Sequence, residues 1–175
     1  MTFESLGLHP QILKALSDAG YTQPTPVQQE AVPAAIAGRD LMVSSQTGSG
    51  KTAAFMLPAL NKFANEPFAP RPGKTPNQQA QAARSRGERV RFTPAQPKML
   101  VLTPTRELAL QVTTATDKYG TYMRRIKAAA ILGGMPYPKQ LQLLARNPEI
   151  LVATPGRLID HMEDRKSTRL NSSHV

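Results

Sequence analysis

A chain of 175 residues, 40% of them hydrophobic, is long enough to bury one core and form one domain. It contains no cysteine, which excludes disulfides and thiolate metal sites and suits a reducing compartment, so we expect a cytoplasmic protein. No basic leader and no apolar run of about 18 residues is present, so we expect neither a secretory signal nor a membrane span. The net charge of +10 suggests a polyanionic partner, although a basic surface is often only a solvated face.

The first 44 residues predict two helices and a strand. A helix is expected from Pro10 until Gly20 ends it, and a second from Pro26 to about Ala37. Thr25 would be the N-cap of the second helix, and Gly38 would end it. The apolar run within Asp40–Ser44 then predicts a buried strand.

The most informative segment follows this strand and reads Ser45-Gln46-Thr47-Gly48-Ser49-Gly50-Lys51-Thr52. A glycine-rich turn between a strand and a helix directs backbone N–H groups into one concavity that binds anions, and the helix dipole adds to the attraction. Lys51 could reach the phosphates of a nucleoside triphosphate, and the Thr52 hydroxyl could ligate Mg²⁺. The general pattern has Gly where Ser45 stands. A glycine turn that merely ends a strand is the alternative.

A helix should run from Lys51 towards Phe63, with a kink at Pro58. Residues 65–97 then change character, with six prolines, five arginines and almost no aliphatic side chains. Such a segment cannot bury enough apolar area to offset its ordering entropy, so we expect a basic, flexible surface insert.

After the insert, the sequence predicts strands and helices in regular alternation. Strands are predicted over Lys98–Thr103, near Lys127–Leu132 and over Glu149–Ala153, and helices over Thr105–Tyr119, around Pro138–Arg146 and from Pro155. Strands alternating with helices predict an α/β fold with a mostly parallel sheet covered by helices on both faces.

Several segments together make residues 1–163 resemble the DEAD-box ATP-dependent RNA helicases, especially the bacterial RhlE-like kind. They are Phe3, Gly20-Tyr21-Thr22-Gln23-Pro24-Thr25-Pro26-Val27-Gln28, the glycine loop, Pro104-Thr105-Arg106-Glu107-Leu108, Gly133-Gly134 and Thr154-Pro155-Gly156-Arg157. The resemblance implies part of an N-terminal RecA-like P-loop domain over 1–163, with a Q motif over 3–28. Ser45 departs from the Ala usual in that family.

The resemblance implies ATP and Mg²⁺ as cofactors. Gln28 would read the adenine edge and Phe3 would lie against the base, with Tyr21 in the same motif. Residues 45–52 would bind the phosphates, with Lys51 and Thr52 in catalytic roles and Thr52 on the metal. Thr25 followed by Gln28 is also a capping box, and both roles can hold at once.

The resemblance also implies binding of RNA, as a single strand or a short duplex, without sequence preference. Pro104, Thr105, Arg106 and Glu107, then Gly133 and Gly134, then Thr154, Pro155, Gly156 and Arg157 would hold the RNA backbone. Ordinary helix capping by Thr105 and Thr154 and an ordinary glycine turn are the alternatives. The basic insert is either an RNA tether or an inert loop.

The family's Asp-Glu-Ala-Asp and Ser-Ala-Thr motifs and its second RecA-like domain are absent from this sequence. We therefore expect a truncated chain that does not turn over ATP usefully, with unpaired strand edges and poor solubility. We interpret residues 164–175 as a non-native tail, because residues 164–174 resemble the translation of a sequencing-library adapter, and a natural polar tail is the alternative. A module that binds ATP and RNA without catalysis, or an unrelated P-loop kinase or GTPase, stays open as the function.

Overall fold

The computed structural model describes residues 1–48, 50–66, 85–87, 95–123 and 126–163. Residue contacts divide the chain into two compact units. The first unit comprises Met1–Pro67 and Gln111–Ile126, and the second comprises Phe68–Leu110 and Lys127–Val175. The proposed single partial domain over 1–163 stays a prediction.

The first unit is helical where it is described. A 3-10 turn over Glu4–Leu6 precedes helices α1 (Pro10–Asp18), α2 (Pro26–Ile36) and α3 (Lys51–Asn65). All three helices were predicted, and each begins at the residue that the sequence indicates. Helix α3 continues past Pro58, and the kink predicted there stays a prediction. The buried side chains of this unit include Ile12, Leu16, Val32, Met56, Leu57 and Leu60.

The buried strand predicted over Asp40–Ser44 is wrong. This segment forms no strand, and Met42 is fully exposed while Leu41 and Val43 are more than 40% exposed. An apolar run becomes a buried strand only when neighbouring strands complete its hydrogen-bond ladder. The strands of the described chain all lie in the second unit, and none of them pairs with this segment.

The second unit contains a parallel three-stranded sheet. Its strands are β1 (Met99–Leu102), β2 (Ala128–Ile131) and β3 (Ile150–Ala153), in the spatial order β1-β3-β2. Leu151 of the central strand β3 pairs with Leu100 on one side and Ala129 on the other. The three strands predicted after the insert and their parallel arrangement are thus confirmed.

Helices follow each strand. Helix α4 (Arg106–Tyr119) follows β1, α5 (Tyr137–Ala145) follows β2, and α6 (Pro155–Glu163) follows β3. Residues 106–110 of α4 count with the second unit and residues 111–119 with the first. One face of the sheet packs on α5 and α6 through a cluster of buried side chains, namely Ala95, Ala129, Ile131, Leu144, Leu151, Ala153 and Leu158. The predicted α/β alternation is confirmed.

Two predicted features fall largely or wholly outside the described residues. The insert over 65–97 is described only at its two ends and at 85–87, and the tail over 164–175 is not described. The predicted bound of 97 is wrong, because Ala95 is buried in the core cluster of the second unit and is not part of a surface insert. Within the described residues, no helix combines the length and the apolar character needed to cross a membrane.

Candidate nucleotide and nucleic-acid sites

The glycine loop has the backbone that an anion cradle requires. Gly48 and Gly50 have φ angles of +80° and +88°, in the left-handed region that residues with a Cβ rarely adopt. Helix α3 begins at Lys51, directly after Gly50, so its first N–H groups face the loop. Ser49 lies outside the described residues. The loop therefore fits a phosphate group.

Lys51 closes the loop from the helix side. Its Nζ donates a hydrogen bond to the backbone carbonyl of Ser45, and both residues are half-buried. Thr52, also half-buried, lies in the same first turn, while Gln46 and Thr47 are exposed. The ammonium group thus already points back over the loop, which is where a bound phosphate would compete for it.

Gln28 contacts the glycine loop directly. Its Nε2 donates to the carbonyl of Gly50 at 3.2 Å, and its Oε1 accepts from the backbone N–H of Thr25 at 3.0 Å. The Thr25 hydroxyl accepts from the backbone N–H of Gln28 at 3.4 Å, which completes the predicted capping box. The side chain is only 3% exposed. One amide thus caps α2 and borders the phosphate cradle.

The two aromatic residues predicted at the base lie in different surroundings. Phe3 is 4% exposed and precedes the 3-10 turn that packs against α2. Tyr21 is 36% exposed, accepts a hydrogen bond from Lys118 Nζ at 3.1 Å and meets the Tyr119 ring edge-on. Hydrogen bonding to Tyr119 and to Lys118 lowers the pKa of Tyr21 below its ordinary value. A role at the base stays a prediction for both.

Asn61 was missed by the sequence reasoning. It is buried on the apolar face of α3, where its Oδ1 accepts from the backbone N–H of His9 at 2.7 Å and its Nδ2 donates to the carbonyl of Gly7 at 3.5 Å. These bonds fasten the segment that follows Phe3 onto the helix that carries Lys51. The sequence signal that could have identified Asn61 is a polar residue among the apolar positions of α3, because a buried amide needs hydrogen-bond partners.

A metal site built from protein carboxylates is not evident. Among the described residues, no group of three or more His, Cys, Asp or Glu side chains could hold a metal ion. The hydroxyl of Thr52 at the start of α3 is the candidate ligand in the glycine loop.

The predicted RNA-contacting segments lie at one edge of the sheet. Residues 104–107 follow β1, residues 133–134 follow β2, and residues 154–157 follow β3. Because the strands are parallel, all three segments begin at the carboxyl edge, where ligands bind in open α/β sheets. The backbone N–H of Thr103 donates to the carbonyl of Ala153, and the N–H of Thr154 donates to that of Ile131. The sheet thus assembles segments that are about 20 to 50 residues apart in sequence.

Arg106 brings two of these segments together. An ideal Cβ added to Gly134 would lie 3.6 Å from Arg106 Nη1, so the guanidinium group borders the exposed glycine turn. The Thr105 hydroxyl accepts from the N–H of Leu108 at 3.3 Å, which confirms helix capping at the start of α4. Pro104 and Glu107 are exposed. A guanidinium group beside a glycine turn, where no side chain covers the backbone, can hold phosphate oxygens.

Arg157 occupies the third segment, in the first turn of α6. Its guanidinium lies 5.9 Å from the centre of the Tyr137 ring, and its Nε is 4.0 Å from the Asp160 carboxylate. Pro155 and Gly156 beside it are exposed, and Thr154 is half-buried. The ion pair with the largely exposed Asp160 is weak, so Arg157 can exchange it for a phosphate.

A glycine loop that opens a helix, together with a parallel sheet whose carboxyl edge gathers basic and glycine segments, defines an α/β nucleotide-binding fold of the RecA-like kind. A protein-family model described as DEAD/DEAH box helicase matches residues 25–175, and the chain belongs to this family. The match includes residues 164–175, for which a foreign origin stays a prediction.

Curated relatives match most of the chain. It is 42% identical over 162 residues to the ATP-dependent RNA helicase DeaD of Klebsiella pneumoniae, covering 93% of this chain and 21% of the relative. It is 37% identical over 165 residues to the DEAD-box ATP-dependent RNA helicase RhpA of Helicobacter pylori, covering 94% and 28%. The chain therefore spans between a fifth and a third of the length of these relatives. The RhlE-like assignment stays a prediction.

Solved structures have the same fold. The RNA helicase Prp28 from Chaetomium thermophilum, bound to ADP, is 34% identical with a TM-score of 0.74, and the match covers 99% of this chain and 36% of that one. A hypothetical ATP-dependent RNA helicase from Sulfolobus tokodaii is 34% identical with a TM-score of 0.66, covering 89% and 36%.

Proposed function

We propose that the chain supplies the ATP-binding and RNA-binding segments of the first motor domain of an ATP-dependent RNA helicase. The observation that carries the proposal is the hydrogen bond from Gln28 Nε2 to the carbonyl of Gly50, which joins the candidate base-reading amide to the phosphate loop. The names of the relatives support the activity, and the ADP bound to Prp28 supports a nucleotide in this fold. A cytoplasmic location stays a prediction from composition.

The residues of the first unit suit ATP. Residues 45–52 would surround the phosphates, and Lys51 would exchange the Ser45 carbonyl for a phosphate oxygen. The Gln28 amide has a second hydrogen and a second oxygen lone pair beyond its bonds to Gly50 and Thr25, which suits the edge of adenine. When bound, Mg²⁺ would neutralise phosphate charge, with Thr52 as its protein ligand.

The residues of the second unit suit an RNA backbone. Arg106, Gly134 and the first turn of α6 lie along the carboxyl edge of the sheet. Contacts of this kind position a strand without reading its sequence.

A module that holds ATP and RNA without turnover is the second candidate. In the part of the chain that the structure describes, no group of three or more His, Cys, Asp or Glu side chains could hold a metal ion. Phosphoryl transfer depends on metal ions and on groups that orient the attacking water. A steady-state ATPase assay of the chain, with and without RNA, separates the two candidates.

Lys51→Ala tests the nucleotide site. We expect it to weaken binding of a fluorescent ATP analogue to the 175-residue chain by at least about tenfold, because it removes a charge-assisted phosphate contact. Lys62→Ala, in the last turn of the same helix, is the control and should leave the affinity unchanged. Equal affinity of the chain and Lys51→Ala would exclude the glycine loop as the site. Displacement of the fluorescent analogue by ATP and by GTP then compares the affinities for the two nucleotides and so measures selection of the base.

Arg106→Ala and Arg157→Ala test the RNA edge. Each should weaken binding of a short labelled single-stranded RNA and lower the slope of log K against log salt by about 0.7, the value for one lost phosphate contact. Arg146→Ala is the matched control, because this exposed arginine follows α5 near the opposite edge of the sheet, where β3 begins. A salt slope that falls equally for Arg146→Ala would indicate a diffuse basic surface instead of a site.

A further inference from the structure

Two polar side chains are wholly buried in the second unit. Gln140 of α5 is 0% exposed and His161 of α6 is 1% exposed. Gln140 Nε2 donates to the backbone carbonyl of Leu132. The amide oxygen can only accept, so the His161 Nε2, 2.9 Å away, carries the hydrogen that joins the two side chains. Leu132, Gln140 and His161 therefore form one hydrogen-bonded chain through the interior.

The two ends of this chain adjoin the candidate RNA segments. Leu132 immediately precedes the exposed turn Gly133-Gly134. His161 lies one helical turn after Arg157 on α6. Gly134 has a φ of +78°, in the left-handed region, and it lies two residues after Leu132.

An aromatic contact adds a second connection between the same segments. The Tyr137 ring stacks on His161, with ring centres 4.4 Å apart and planes 10° from parallel. The guanidinium group of Arg157 lies over the Tyr137 ring at 5.9 Å. The imidazole of His161 thus contacts one face of the Tyr137 ring, and this ring in turn contacts the guanidinium group of Arg157.

The choice of residues indicates more than filling of the interior. Burying polar groups costs free energy that their hydrogen bonds only partly offset, and an apolar pair of similar volume would pack these helices without that cost. A paired polar chain, by contrast, fixes a direction and a distance between the groups that it joins.

We propose that Gln140 and His161 are positioning residues, which hold the Gly133-Gly134 turn and the first turn of α6 in the arrangement that an RNA backbone requires. The proposal rests on the proposed RNA-binding function of the second unit. It predicts that RNA affinity depends on the hydrogen bond between the two side chains, while nucleotide binding, located in the first unit, does not.

The first test compares His161→Leu with His161→Gln. Glutamine can place its amide nitrogen near the position of the imidazole Nε2 and so keep the donor, whereas leucine removes it. We expect His161→Leu to weaken binding of a labelled single-stranded RNA by about tenfold, the factor for one lost buried hydrogen bond. His161→Gln should stay within about threefold of the parent chain, because it restores that bond. Equal RNA affinity of the two variants would overturn the proposal.

The second test separates positioning from stability with the double variant Gln140→Leu/His161→Leu. Replacing both partners removes the donor and the acceptor that join the two side chains, although the Leu132 carbonyl still loses the Gln140 donor. The Tm of the double variant should therefore exceed that of Gln140→Leu alone, which leaves the His161 donor unpaired as well. RNA affinity should nevertheless stay about tenfold low, because the hydrogen-bonded chain between Leu132 and α6 stays broken. RNA affinity that recovers in step with Tm would mean a structural role only.

Two controls keep this proposal distinct from the proposed function. The affinity for the ATP analogue should be unchanged in all these variants. If Arg106→Ala and Arg157→Ala also leave RNA binding unchanged, the assignment of the RNA edge fails. If those arginine variants weaken RNA binding while His161→Leu does not, only the positioning role fails.

Discussion

Gly50→Ala is expected to abolish measurable ATP binding, lowering the affinity by about a hundredfold or more. The φ of +88° imposes a strain of about 1–2 kcal/mol on any residue with a Cβ. The new Cβ would also lie 2.4 Å from Gln28 Nε2, which is too close for two non-bonded heavy atoms, so the amide must leave its position. The variant would thereby disturb the phosphate cradle and the base-reading amide together.

Gly48→Ala is the matched control for this variant. Gly48 has a similar φ of +80°, but no described residue other than its chain neighbours lies within 4 Å of an added Cβ. Its effect should be limited to the backbone strain, a loss of affinity on the order of tenfold. Titration of the fluorescent ATP analogue measures both. Equal losses for the two variants would show that strain alone acts and that the Gln28 contact with Gly50 has no part in binding.

Leu151→Ala is expected to destabilise the second unit by about 2–5 kcal/mol, the usual cost of removing a buried leucine side chain from a core. Leu151 is 1% exposed in the central strand, where it pairs with both neighbouring strands and packs in the cluster with Leu144 and Leu158. Because β3 joins β1 to β2, the loss should also weaken RNA binding. Urea denaturation followed by circular dichroism measures the stability.

Leu110→Ala provides the comparison, since it is the same substitution at a site that is 46% exposed in α4. Its free energy of unfolding should stay within about 0.5 kcal/mol of the parent value. A similar loss for both variants would contradict the assignment of the sheet core to β3.

The helices and the three paired strands could be predicted because their signals are local. Pro10, Pro26 and Pro155 begin helices in the structure as the sequence indicates, and Thr25 forms the predicted capping box. The glycines at positions 48 and 50 permit the left-handed torsions that the loop adopts. The motif residues after β1, β2 and β3 could be named in advance, and the parallel sheet explains why they lie on one edge.

The wrong strand prediction and the hydrogen bonds that the sequence did not predict all depend on contacts between residues far apart in the chain. The segment Asp40–Ser44 has the composition of a buried strand, but composition does not say whether a neighbour is available to pair with it. The hydrogen bonds of Asn61 to Gly7 and His9 span more than fifty residues, and no local pattern announces them. The hydrogen bond between Gln140 and His161 likewise joins α5, which precedes β3 in the sequence, to α6, which follows it.

The strand order has a consequence for biosynthesis. The central strand β3 is the last of the three to leave the ribosome, and β1 and β2 contact each other only through it. During translation, about fifty further codons, from Met99 to Ile150, must therefore be translated before the strand that pairs with β1 is synthesised. We expect the nascent second unit to resist proteolysis only once the chain has been extended past Ala153 and α6, and chaperones to bind it until then.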